Sequence, residues 1–115
     1  MEKNGICLKD CDIRGCGDIL VEDDRINATY ELWFDVEKFF GIKLSDSEWI
    51  NLYTDWYPDG RFEITVYVDT DNGSKELPFE FDEEETCLFK NLMENYCQFE
   101  TNCSLAELWK KIKEK

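Results

Sequence analysis

The stretch Trp56–Phe81, WYPDGRFEITVYVDTDNGSKELPFEF, holds two turn signals around one alternating apolar run, and together they set the register of three strands. Asn72-Gly73 suits a two-residue type I′ turn, which needs positive φ at both central positions. With Asp71 and Ser74 flanking that turn, Val68 faces Leu77, Val66 faces Phe79 and Ile64 faces Phe81, so every apolar side chain meets another. Upstream, Pro58 suits the first central position of a type I turn and Gly60 the left-handed residue of the bulge that follows it. Tyr57 then lies opposite Arg61, and Trp56 pairs with Phe62, Thr54 with Ile64, Leu52 with Val66 and Ile50 with Val68. These pairings predict an antiparallel meander with strands near 48–57, 61–70 and 75–81.

The acids from Asp69 onward resemble the spacing of an EF-hand loop, with Glu80 in the twelfth position. Such a loop needs an oxygen ligand fifth, a glycine sixth and a helix on each side. Here Gly73 is fifth, Ser74 is sixth and the flanks alternate as strands do. The stretch reads as a hairpin.

Beyond the meander, Asp82 and Glu85 form a capping-box pair that predicts a helix over about 83–97, with Leu88, Leu92, Met93 and Tyr96 on one face. Ser104 and Glu107 repeat that signal for a second helix carrying Leu105, Leu108, Trp109 and Ile112, with lysines at its cation-favouring end. Both helices are expected to cover the apolar face of the sheet. Before the meander, ATYELWFDV alternates as a strand through Tyr30, Leu32, Phe34 and Val36, yet Leu32, Trp33, Val36, Phe39 and Phe40 also fit a helix. GDILVE suggests a short first strand and GIKLSDSE a connecting loop. The expected fold is α+β: an antiparallel β-meander of three to five strands with two C-terminal helices packed on one face. We read residues 1–115 as a single domain, with a cysteine-containing segment over 1–25, a mainly β part over 26–81 and two helices over 82–115.

The formal net charge is −14, and it is unevenly spread: residues 1–86 sum to −15, while 87–115 sum to +1. Such a field repels phosphates and anionic membrane surfaces and attracts basic partners. Direct nucleic-acid binding and membrane association are therefore not expected. The N-terminus has no signal-peptide pattern and no run approaches the ~20 apolar residues of a membrane span, so a cytoplasmic location is expected. In that compartment the six cysteines would stay free or bind metal. Cys7, Cys11 and Cys16 are close enough in sequence to supply zinc ligands, although the two-residue spacing usual in structural zinc sites is missing. Cys87 and Cys97 read as helix thiols, and Cys103 follows them. Histidine is absent, which removes Ser-His and Cys-His nucleophile pairs, and no phosphate-binding glycine loop occurs. No enzymatic activity is expected.

The derived registers also align the opposite face of the sheet. Asp55 falls across from Glu63, and Glu63 across from Asp82, giving a row of three carboxylates, with Glu80 beside Thr65 and Tyr53, Tyr57 and Tyr67 nearby. Like charges directly opposite destabilise a sheet. The row is either screened by Arg61, occupied by a divalent cation, or used as a contact surface with the tyrosines as anchors. The expectation carried forward is a non-enzymatic acidic binding or inhibitor protein. Asp55, Glu63, Glu80, Asp82, Glu83, Glu84, Tyr53, Tyr57 and Tyr67 would engage a basic partner, such as a nuclease or other nucleic-acid-binding protein. By analogy of size and charge, it would act as a nucleic-acid mimic of the anti-CRISPR or anti-restriction type. The alternative is a zinc-dependent module organised by Cys7, Cys11 and Cys16. No other cofactor is expected.

Overall fold

The structure, a computed structural model, describes residues 2–113. Its centre is a five-stranded antiparallel meander in which each strand pairs with the next: β3 (Asp12–Val21), β4 (Ile26–Trp33), β5 (Trp49–Trp56), β6 (Phe62–Thr70) and β7 (Gly73–Glu76). A two-stranded hairpin, β1 (Glu2–Lys3) and β2 (Ile6–Cys7), precedes it. Helix α1 (Val36–Phe40) interrupts the β4–β5 connection, and α2 (Glu83–Thr101) and α3 (Leu105–Lys113) close the chain. The expected α+β architecture, a meander with two C-terminal helices on one face, is present. Among the described residues no helix is long and apolar enough to cross a membrane.

The ambiguity before the meander resolves by division. Residues 26–33 form β4, Asp35 caps α1 by accepting from the Lys38 amide, and Gly41 ends the helix with φ 67°. That left-handed conformation is one glycine adopts without a Cβ clash. The short GDILVE strand is the end of the longer β3, which carries a bulge between Cys16 and Leu20.

The β5–β6 register is the expected one, with Trp56 opposite Phe62, Thr54 opposite Ile64, Leu52 opposite Val66 and Ile50 opposite Val68. The β6–β7 register is not. Thr70 pairs with Gly73 and Val68 with Lys75, so the turn residues are Asp71-Asn72 and each partner is displaced by two from expectation. An even displacement keeps every side chain on its own face, so the apolar pattern cannot choose between the two registers. The Thr70 hydroxyl favours the observed one: it donates to the Gly73 carbonyl at 3.2 Å and accepts from the Asn72 amide at 3.1 Å. Strand β7 also stops at Glu76 instead of running to 81. Leu77 still donates to the Val66 carbonyl, but Pro78 then has no N–H to continue the ladder.

The core lies between the sheet and the helices. Ile26, Ala28 and Tyr30 of β4, Leu52 and Thr54 of β5 and Val66 of β6 are buried on one face, against Phe89, Met93 and Cys97 of α2 and Leu105 and Leu108 of α3. The stripe α2 buries is Glu85, Phe89, Met93 and Cys97, one residue every four. Of the face expected from sequence, Met93 is on this stripe, while Leu88, Leu92 and Tyr96 flank it, partly buried. Both capping boxes form. Asp82 accepts from the Glu85 amide at 2.8 Å while Glu85 accepts from the Asp82 amide at 3.0 Å, and Ser104 and Glu107 exchange bonds of 3.0 and 3.1 Å. At one end of the core, Phe39, Phe40, Phe79 and Phe81 pack ring against ring. Gly15 lets α2 approach β3 closely: a Cβ there would lie 2.5 Å from ring carbons of Tyr96.

Candidate partner-binding face

Strand pleating sends alternate residues to opposite sides of a sheet. Because the helices bury the even-numbered residues of β4, β5 and β6, the odd-numbered ones form the uncovered face. Asn27, Glu31 and Trp33 of β4, Asn51, Tyr53 and Asp55 of β5, and Glu63, Tyr67 and Asp69 of β6 therefore share it. Sequence reasoning placed four of these together as site residues, Tyr53, Asp55, Glu63 and Tyr67, and the structure brings them together. Asp55 is directly opposite Glu63, as expected.

The third member of the carboxylate row is elsewhere. Asp82 is the N-cap of α2, its carboxylate bonded to the Glu85 amide, and β7 ends six residues before it. The expected Glu63–Asp82 pair does not form, and neither does the pair of Glu80 with Thr65, because Pro78 has already ended the ladder. Glu80 lies in the connection to α2, where its carbonyl accepts from Lys3 Nζ at 3.0 Å. Glu83 and Glu84 are exposed in the first turn of α2, in the helix layer. The nine residues expected to act as one surface thus divide between two layers. Arg61 does not screen Glu63 either: it pairs with Asp59 at 2.9 Å and lies over the Tyr57 ring at 4.2 Å.

The residues left on the uncovered face differ in what they can offer. Glu63 is exposed, whereas Asp55 is only 8% exposed. Asn27 Nδ2 donates to Asp55 Oδ1 at 3.0 Å, and Arg25 approaches Oδ2 at 3.9 Å. Asn27 satisfies one of the two carboxylate oxygens, which relieves part of the repulsion from Glu63. Tyr57 is buried, with Arg25 over its ring at 5.1 Å in addition to Arg61, so it is already engaged and is not an open anchor. Tyr53 and Tyr67 are half-buried and meet edge to face with ring centroids 5.5 Å apart. Burial first, and then the charge of Asp69, push the Tyr53 hydroxyl above its ordinary pKa. The neutral phenol is the form this face presents.

Two tryptophans complete the surface and were not among the residues expected from sequence. Trp33 is 61% exposed and Trp49 is 44% exposed, on β4 and β5 respectively. Trp33 donates to Glu31 at 3.2 Å and has the Arg14 guanidinium 5.5 Å from its ring. The signal for Trp33 in the sequence was the odd-position alternation Asn27, Thr29, Glu31, Trp33, obscured by the competing helical reading of the same letters, and that for Trp49 was the β5 register, which sets it on the same face as Tyr53 and Asp55. Asp69, first considered as a calcium ligand, also lies on this face. It is 8% exposed and bonded to Asn51 through one oxygen, with Oδ1 unpartnered among the described residues.

The cysteines are free thiols. Cys11 donates to the Cys7 carbonyl at 3.3 Å, and Cys16 lies on β3 opposite Thr29. Burial raises the pKa of Cys11, Cys16 and Cys97, which favours the thiol over the metal-binding thiolate. Among the described residues no three Cys, Asp or Glu side chains gather as a metal-ligand set. No protein-family model, curated protein or solved structure matches this chain.

Proposed function

We propose that this protein is a non-enzymatic binding protein whose uncovered sheet face engages a basic surface of a partner protein. The observation that carries the reading is the mixture on that face: exposed Glu31 and Glu63 stand among Trp33, Trp49, Tyr53 and Tyr67 on the side the helices leave open. Aromatic side chains with low conformational entropy supply the buried centre of an interface, and charged neighbours steer the encounter and set its register. The net charge of −14 extends that steering beyond the contact itself. In its most concrete form, the uncovered face occupies the nucleic-acid site of a nuclease or other DNA-binding protein, as small inhibitors of restriction and CRISPR systems do.

The test is affinity capture of basic proteins from the native host at about 50 mM and about 300 mM salt, a range over which screening shortens appreciably. Wild-type protein is expected to capture a basic protein at low salt, release it at high salt and lose it to added duplex DNA. The Glu31→Lys/Glu63→Lys variant is expected to capture at least about tenfold less. Equal capture by the variant sinks the assignment to this face, and capture indifferent to DNA sinks the mimic form.

A further inference from the structure

We infer that a depression in the middle of the uncovered face receives one guanidinium side chain of the partner, with Asp55 as the ion-pairing group and Tyr53 and Tyr67 as stacking walls. This rests on the binding reading above and deepens it. The depression has a volume of about 370 Å³ and is lined by Tyr53, Tyr67, Asn27 and Asp55, with Arg25 and Glu22 also contributing. That is the small end of the ~300–1,000 Å³ typical of ligand sites, enough for a side chain and its hydration.

Asp55 gives the site its sign and direction. The residue is 8% exposed, and the bond from Asn27 to Oδ1 holds the plane of the carboxylate. Oδ2 accepts no hydrogen bond within the described residues: its nearest cation, Arg25, is 3.9 Å away and bonded to Asp24 at 3.0 Å. The carboxylate therefore keeps an unused acceptor, and a charge-assisted bond from a donor entering the depression is favourable there. Asp69 pairs across the sheet with Ser74, which lines the same depression, and its buried Oδ1 has no hydrogen-bond partner among the described residues.

The chemistry that satisfies such a set is already present one row away. There Arg25 and Arg61 lie 5.1 and 4.2 Å from the Tyr57 ring while pairing with Asp24 and Asp59. The depression repeats the combination of aromatic ring and carboxylate, and the arginine at its edge, Arg25, is engaged with Asp24 and the Tyr57 ring and reaches Asp55 only at 3.9 Å. Guanidinium is favoured over ammonium because it is planar, stacks on a ring and donates in a fork that a fixed carboxylate can accept.

The experiment titrates ¹⁵N-labelled full-length protein with Nα-acetyl-arginine-N-methylamide, its lysine counterpart and its neutral citrulline counterpart. The arginine compound is expected to shift the Asn27 side-chain amide and the Tyr53 and Tyr67 backbone amides saturably. The lysine compound is expected to bind several-fold more weakly and the citrulline compound not at all. Asp55→Asn, which keeps the Asn27 bond, should weaken arginine binding about tenfold, and Tyr67→Leu should weaken it several-fold, both with unfolding temperatures near wild type. Equal binding of lysine or citrulline, undiminished binding by Asp55→Asn, or shifts without saturation each overturn the inference. Partner capture lost in Glu31→Lys/Glu63→Lys but intact in Asp55→Asn overturns the pocket and leaves the binding face standing. Saturable arginine binding without any salt-sensitive capture overturns the binding face and leaves the pocket.

Discussion

Tyr30 shows how one side chain couples the sheet to both the core and the solvent pH. It is 2% exposed, meets Phe89 edge to face with centroids 5.9 Å apart, and accepts from the Thr54 hydroxyl at 3.0 Å. Burial raises its pKa well above the ordinary phenol range. Below the unfolded value of about 10, both states hold the proton and the stabilisation is complete. As pH rises past 10 the unfolded chain loses a proton that the folded chain keeps, so stability falls by up to about 1.4 kcal/mol per pH unit from this group. Tyr30→Phe should therefore cost about 1 kcal/mol at pH 7 through the lost hydrogen bond, and the deficit should shrink and reverse by about pH 11. Urea unfolding of both proteins across pH 7–11 checks this; a constant difference would show that Tyr30 does not titrate as argued. Tyr53, Tyr57 and Tyr96, also raised chiefly by burial, remain in both proteins and cancel in the comparison.

Among the elements, the β1–β2 hairpin is fastened to α2 by a pair that no local pattern announces. Lys3 Nζ lies 2.6 Å from Glu85 Oε1, donates to the Glu80 carbonyl and sits 4.7 Å from the centre of the Phe79 ring. Glu85 is fully buried, and its Oε2 has no partner among the described residues. Lys3→Met should cost about 3 kcal/mol, because it leaves the buried carboxylate uncompensated. It should also speed amide exchange in the first turn of α2. Adding Glu85→Gln, which retains an oxygen for the Asp82 amide, should recover much of that loss, and a urea double-mutant cycle reads the coupling. Additive losses would mean the pair is unimportant. Glu85 was legible in the sequence as a capping residue but not as a core one, since its partner lies 82 residues away. The β5–β6 pairing and both capping boxes were legible because each rests on residues a few positions apart. The β6–β7 register was not, because apolar alternation tolerates a shift of two and a threonine hydroxyl decided it.

At the scale of the whole molecule, charge is the dominant variable. Among the described residues most ion pairs join sequence neighbours near the surface, such as Arg14 with Asp12 and Arg61 with Asp59, and contribute little. A net charge of −14 on a chain of 115 residues instead repels itself. Raising sodium chloride from about 10 to about 500 mM shortens the screening length from about 30 Å to a few ångströms, and the unfolding temperature should rise by about 5 °C, roughly 1 kcal/mol at this size. Calorimetry at fixed pH measures it, and a flat or falling temperature would contradict net repulsion. Sequence alone determined the acidic balance, the meander, the two capped helices and the face shared by Tyr53, Asp55, Glu63 and Tyr67, because turn chemistry and strand periodicity act over a few residues. Only the tertiary structure decided that Asp82 serves α2 and leaves the sheet, that Tyr57 is spent between two arginines, and that Trp33 and Trp49 stand open on the uncovered face. Those outcomes depend on where distant strands end and which side the helices cover, and no local pattern encodes either.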